Sequence, residues 1–145
     1  MIKELEKLSR EEQALLLKAP VIVSILAAAG VGKVNEWEKA DAIKLAHLKT
    51  YTADRLLIPY YKEVDKSFEQ DFEALAKKYV PFDDQKRILL QSEVDHVNKV
   101  IDKLDKPFAR TLHTSLLKYA EHVKNAYKGL VMNFIFPFPI PGLTG

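Results

Sequence analysis

Tyr61, Val64, Phe68, Phe72, Leu75 and Tyr79 recur at steps of three and four, a spacing that admits a helix buried along one face and little else. The same steps return in Leu90, Val94, Val97, Ile101 and Leu104, and again in Phe108, Leu112, Leu116, Tyr119, Val123 and Ala126. No stretch alternates with period two for long enough to form a strand, and no internal repeat is visible. A length of 145 residues, 48% of them apolar, suits one helical domain with a core large enough to offset its ordering entropy.

Capping residues and prolines divide the chain. Ser9-Arg10-Glu11-Glu12 has the form of a capping box, in which the Ser9 hydroxyl accepts from the Glu12 amide while the Glu12 carboxylate reaches back. The helix it opens carries Leu15, Leu16, Leu17, Val21, Ile22, Val23, Ile25 and Leu26, apolar on every side as a central helix requires. Pro20 predicts a kink or a split in it. Gly30 and Gly32 end it, and Asn35-Glu36-Trp37-Glu38 caps a second helix with Trp37, Ala40, Ile43 and His47 on one stripe. A third starts near Pro59 and closes at Pro81. Asp83 or Asp84 caps a fourth, Pro107 ends that one or opens the fifth, and Gly129 stops the fifth. The expectation is an all-α bundle of about five helices over residues 1–129, followed by an apolar Pro/Phe-rich tail over residues 130–145.

Charge and composition exclude several classes. Twenty-two Lys+Arg against 20 Asp+Glu leave +2, too balanced to name a nucleic acid or an anionic membrane as partner. Absence of cysteine removes disulfides, thiolate metal sites and cysteine nucleophiles. Met1 to Leu8 mixes both charge signs and lacks the basic-then-apolar order of a signal peptide, which predicts a cytoplasmic address. The uncharged run from Ala19 to Gly32 carries Pro20, Gly30 and Gly32 and is shorter than the roughly 20 residues a spanning helix needs. Ala27 to Val34 imitates a phosphate-binding loop, but the opening glycine is Ala27 and the magnesium-binding hydroxyl is Val34, so nucleotide hydrolysis is rejected. No Gly-x-Ser-x-Gly elbow surrounds Ser24, Ser67, Ser92 or Ser115, and no catalytic set is legible.

The stretch from Ala27 to Ala40 resembles the first helix–turn–helix of tellurite-resistance TerB-like domains, with the family's glycine at Gly32, its glutamate at Glu38 and Val31 where the family has aspartate. That resemblance implies an all-helical module associated with stress response or membrane-linked complexes, with no catalytic residues to carry over.

Three sets of residues could carry function. Glu93 and His96 have the Glu-x-x-His spacing that sets two metal ligands on one helix face, and His47, His113 and His122 are the other imidazoles a divalent metal site could recruit. No cofactor follows from this alone, since a di-metal bundle needs a second such pair. Leu89, His96 and Val100 share a stripe beside the core stripe, which makes His96 a boundary residue. Asp65, Glu69 and Glu73 form an acidic face at steps of four, solvated or turned to a basic partner or to divalent cations. Lys99, Lys103 and Lys106 could complement it in a homo-oligomer. The tail residues Phe134, Ile135, Phe136, Phe138 and Ile140 either lie in a groove of their own bundle or dock on a second subunit or another protein. Pro137, Pro139 and Pro141 forbid a continuous helix there, and peripheral membrane contact through the same aromatics is a further route. The reading is a non-enzymatic helical interaction or scaffolding module that meets a protein partner or its own copy; a metal-binding bundle or metalloenzyme is the alternative.

Overall fold

The structure is a computed structural model describing residues 2–28, 44, 48, 54–79 and 83–125. Among these residues the continuous elements are short 3-10 turns at Lys3–Leu5 and Arg55–Leu57 and four α-helices: α1 (Arg10–Ala28), α2 (Ile58–Tyr79), α3 (Asp84–Ile101) and α4 (Lys106–Asn125). Among the described residues there is no strand, as the apolar stripes require. Of the helix predicted to follow Asn35, only Lys44 and Leu48 are described, both helical. The rest of that second predicted helix with Trp37, the Gly30/Gly32 turn, Pro81, Gly129 and the tail lie outside the described residues.

The capping box at the start of α1 forms as its sequence dictates. Glu12 N–H donates to Ser9 Oγ at 3.1 Å and Ser9 N–H donates to a Glu12 carboxylate oxygen at 3.0 Å. Residues Ala19 to Ala27 are buried without interruption, so the helix has no solvent face in this stretch. It packs extensively against α2, α3 and α4, which touch one another far less. The uniformly apolar segment is therefore the hub of the bundle.

Pro20 lies inside α1, and the helix runs through it without splitting. A proline supplies no N–H, which leaves the carbonyl four residues earlier without its helical donor. That carbonyl belongs to Leu16, and the buried Tyr60 hydroxyl of α2 donates to it at 2.6 Å. One turn on, Ser24 Oγ donates to the Pro20 carbonyl at 2.7 Å. The helix thus tolerates its proline because a tyrosine from the neighbouring helix takes the place of the missing amide.

Helix α2 begins after Asp54, whose side chain accepts from Leu56 N–H at 2.9 Å, and Pro59 sits in its first turn, where no amide is needed. Tyr61, Val64, Phe68, Phe72 and Tyr79 of the predicted stripe are buried, together with Tyr60. Tyr60 and Tyr61 meet edge to face at 5.0 Å between centroids, and the Tyr61 hydroxyl shares a 2.6 Å hydrogen bond with Ser115 of α4. Burial pushes both phenols well above the ordinary tyrosine range, so they stay protonated as hydrogen-bonding groups. Large aromatic side chains bridge α2 to α4, with Phe68 and Tyr119 at 6.3 Å.

Asp83 is the cap of α3, accepting from Lys86 N–H at 2.8 Å. Pro107 occupies the second position of α4, so it opens the fifth predicted segment and does not end the fourth. The turn between α3 and α4 is tied to the beginning of α1: Lys7 Nζ lies 3.1 Å from Asp105 Oδ1, and Lys103 pairs with Glu12. Helix α4 therefore starts beside the start of α1 and α3 ends there. Consequently α3 begins, and α4 finishes, toward the far end of α1.

The Lys103 hydrogen bond, with the Ser9 amide next in importance, holds the Glu12 carboxyl below the usual carboxylate range. A depressed folded-state pKa contributes stability above the unfolded-state value, and the contribution disappears as pH falls through the folded-state one. We expect the melting temperature of Glu12→Gln to fall less than that of the parent on acidification in this window, read by thermal scans between neutral and acidic pH.

Candidate functional site

Helix α3 turns two dissimilar faces outward from its core stripe. Leu90, Val94, Val97, Val100 and Ile101 point into the bundle. Asp84, Arg87, Ile88, Gln91, Ser92 and Asp95, at steps of three, one, three, one and three, line a groove of about 530 Å³ along another face. A helical step of 100° per residue separates these six from the buried stripe although they are interleaved with it in sequence. Ile88 is 68% exposed and Leu89 57%, the largest exposures among the bulky apolar side chains of the described residues. Both sit in the first two turns of α3.

Around Ile88 the groove wall is polar, with the carboxylates of Asp84 and Asp95 and the guanidinium of Arg87. Arg87 Nη1 lies 4.0 Å from Asp84 Oδ1, and Gln91 Nε2 donates to Asp95 Oδ1 at 3.4 Å. Gln91 Oε1 is buried and has no hydrogen-bond partner among the described residues. An acceptor in that state costs free energy until a donor reaches it. Such a wall suits an uncharged segment that brings apolar side chains and backbone N–H groups.

A second concavity, of about 360 Å³, lies at the start of α4 and is lined by Asp102, Leu104, Lys106, Ala109, Arg110 and His113. Burial lowers the His113 pKa from the ordinary imidazole value, with the Asp102 charge acting weakly in the opposite direction.

The described residues singled out for metal stand on two helices. Glu93 is half-buried and His96 exposed on α3, His113 half-buried and His122 exposed on α4; His47 lies outside the described residues. Glu93 and His96 share neither a hydrogen bond nor an ion pair. Among the described residues no three His, Asp or Glu side chains gather closely enough to hold a metal ion. The stripe shared by Leu89, His96 and Val100 divides in the structure, with Val100 buried and the other two open to solvent.

Asp65 is half-buried on α2 and Glu69 and Glu73 are exposed, so the acidic face exists as a surface. Lys103 is engaged by Glu12 of its own chain, whereas Lys99 and Lys106 of the basic row have no ion pair among the described residues. Phe134, Ile135, Phe136, Phe138 and Ile140 lie outside the described residues. No helix among the described residues is long and apolar enough to cross a membrane.

Sequence reasoning missed Tyr60, Ile88 and the concavity beside His113. Only the first had a signal: a proline inside a helix demands a donor from elsewhere for the carbonyl four residues before it. Comparison with known protein families, with characterised proteins and with solved structures gives no match.

Proposed function

We propose that the protein is a non-enzymatic helical interaction module that self-associates through the groove on α3. The observation that carries this reading is Ile88, exposed in the single chain and lining the 530 Å³ groove, with Leu89 exposed next to it in the sequence. The occupant is the apolar segment 130–140 of a second copy. Three features support that choice. The stretch from Gly129 to Gly145 carries no charged residue and so brings no further charge to a wall that holds two carboxylates and one guanidinium. Pro137, Pro139 and Pro141 forbid a continuous helix through it, so an extended segment would offer backbone N–H groups to an acceptor such as Gln91 Oε1. The chain also leaves α4 at the end of the bundle where α3 begins, so two copies side by side could exchange segments over a short distance. The TerB-like resemblance, with the stress-linked setting it implies, is compatible with such a module and is part of this proposal.

Sedimentation velocity over a concentration series tests it with two variants. Ile88→Glu/Leu89→Glu introduces charge only at exposed positions, so the fold should be preserved to within about 0.5 kcal/mol. The chain ending at Gly129 removes the occupant. Concentration-dependent association of the parent, lost in both variants while their helical signal persists, is the expected result. A parent that stays monomeric throughout would refute self-association. If truncation instead collapses the melting temperature while the Ile88/Leu89 variant behaves as the parent, the segment belongs to its own core.

A further inference from the structure

The concavity at the start of α4 combines an apolar floor with a cationic rim. Lys106, Ala109, Arg110 and His113 follow steps of three, one and three, which puts all four on one side of the first two turns, and the preceding turn adds Asp102 and Leu104. Leu104 is buried and Ala109 half-buried, and these supply the floor. Neither the Lys106 nor the Arg110 side chain has an ion pair or hydrogen bond among the described residues, whereas Lys7 and Lys103 close by are both held by carboxylates. Unpaired surface cations are common; two of them with an imidazole on the rim of one cavity are less so. At about 360 Å³ the space falls in the lower part of the range of small-molecule sites, roughly 300 to 1,000 Å³.

We infer that this cavity is a binding site for a small phosphomonoester, with Arg110 and Lys106 on the phosphate, His113 lining the wall beside them, and Leu104 and Ala109 against the apolar body of the ligand. A planar guanidinium offers two parallel N–H groups to one phosphate, and an ammonium adds a point charge. A carboxylate would satisfy fewer of these donors. Asp102 opposes the anion from one side, so the two cations must outweigh it, and a dianion gains more from them than a monoanion does. The first amides of α4 point toward the same end and add to the field without making the site.

This site is independent of self-association through α3. Phenyl phosphate, inorganic phosphate and benzyl alcohol serve as probes of the full chain, followed by the ring-proton signals of His113, which a His113→Gln variant assigns. Phenyl phosphate should shift those signals saturably, inorganic phosphate should bind more weakly and benzyl alcohol should not bind. Arg110→Gln should weaken phenyl phosphate about tenfold or more, the loss of one charge-assisted contact, and adding Lys106→Gln should abolish saturation. Both positions are exposed, and an unchanged circular dichroism spectrum checks the fold. A shift reproduced by sodium chloride at matched ionic strength, a shift that survives the double variant, or no saturable shift at all would each overturn the assignment.

Discussion

Replacing Tyr60 with phenylalanine should lower the unfolding free energy by about 1 to 3 kcal/mol, although only one oxygen is lost. The ring still fills its place against Tyr61, so packing is nearly conserved. What changes is the Leu16 carbonyl: Pro20 offers it no amide, and in the variant Tyr60 no longer offers a hydroxyl. A buried acceptor is then left without a donor. The companion variant Pro20→Ala restores an amide four residues after Leu16 and removes the helix penalty of an interior proline, roughly 3 kcal/mol, against the packing its buried ring supplies. The decisive quantity is the coupling between the two. In the Pro20→Ala background Tyr60→Phe should cost much less, giving a coupling in the range of about 0.5 to 3 kcal/mol by urea denaturation. Strict additivity would mean that Tyr60 does not substitute for the missing amide.

That pairing also shows what a sequence can and cannot disclose. The helices were legible because each depends on residues three or four apart, as in the stripe from Tyr61 to Tyr79, and because caps such as Ser9 with Glu12 and Asp83 with Lys86 close over three residues. The role of α1 as hub was legible in its lack of a polar face. Tyr60 and Leu16 stand 44 residues apart, and nothing local marks one as the partner of the other. Proline announced a break; the bundle supplied a donor and the helix continued. The groove on α3 was hidden for a different reason. Ile88-Leu89-Leu90 reads as one apolar run, yet a 100° step per residue sends only Leu90 into the core, and which neighbour leaves the other two uncovered is a property of the assembled bundle. Glu93 and His96 show the converse. Their three-residue spacing is a local signal that a metal site would need, but ligands from other helices must converge on it, and among the described residues they do not.

The largest loss of stability is expected from Phe68→Ala, about 3 to 5 kcal/mol, because truncating a buried phenylalanine removes its transfer free energy and leaves a cavity that the surroundings fill only in part. Phe68 is 2% exposed and sits between Phe72, at 6.0 Å, and Tyr119 of α4, at 6.3 Å. Since α2 and α4 meet mainly through such long side chains, little backbone is near enough to close the gap. Against a typical domain stability of 5 to 15 kcal/mol, roughly, the loss is a large share of the total. Urea denaturation should show a lower midpoint with an unchanged slope. Phe68 is two turns of α2 beyond Tyr60, about 12 Å along the axis, far enough for their effects to add if the helix remains docked in both single variants. A double variant losing clearly less than the sum would show instead that either change alone releases α2 from α1 and α4, making its docking a single cooperative event anchored at Tyr60 and Phe68 together.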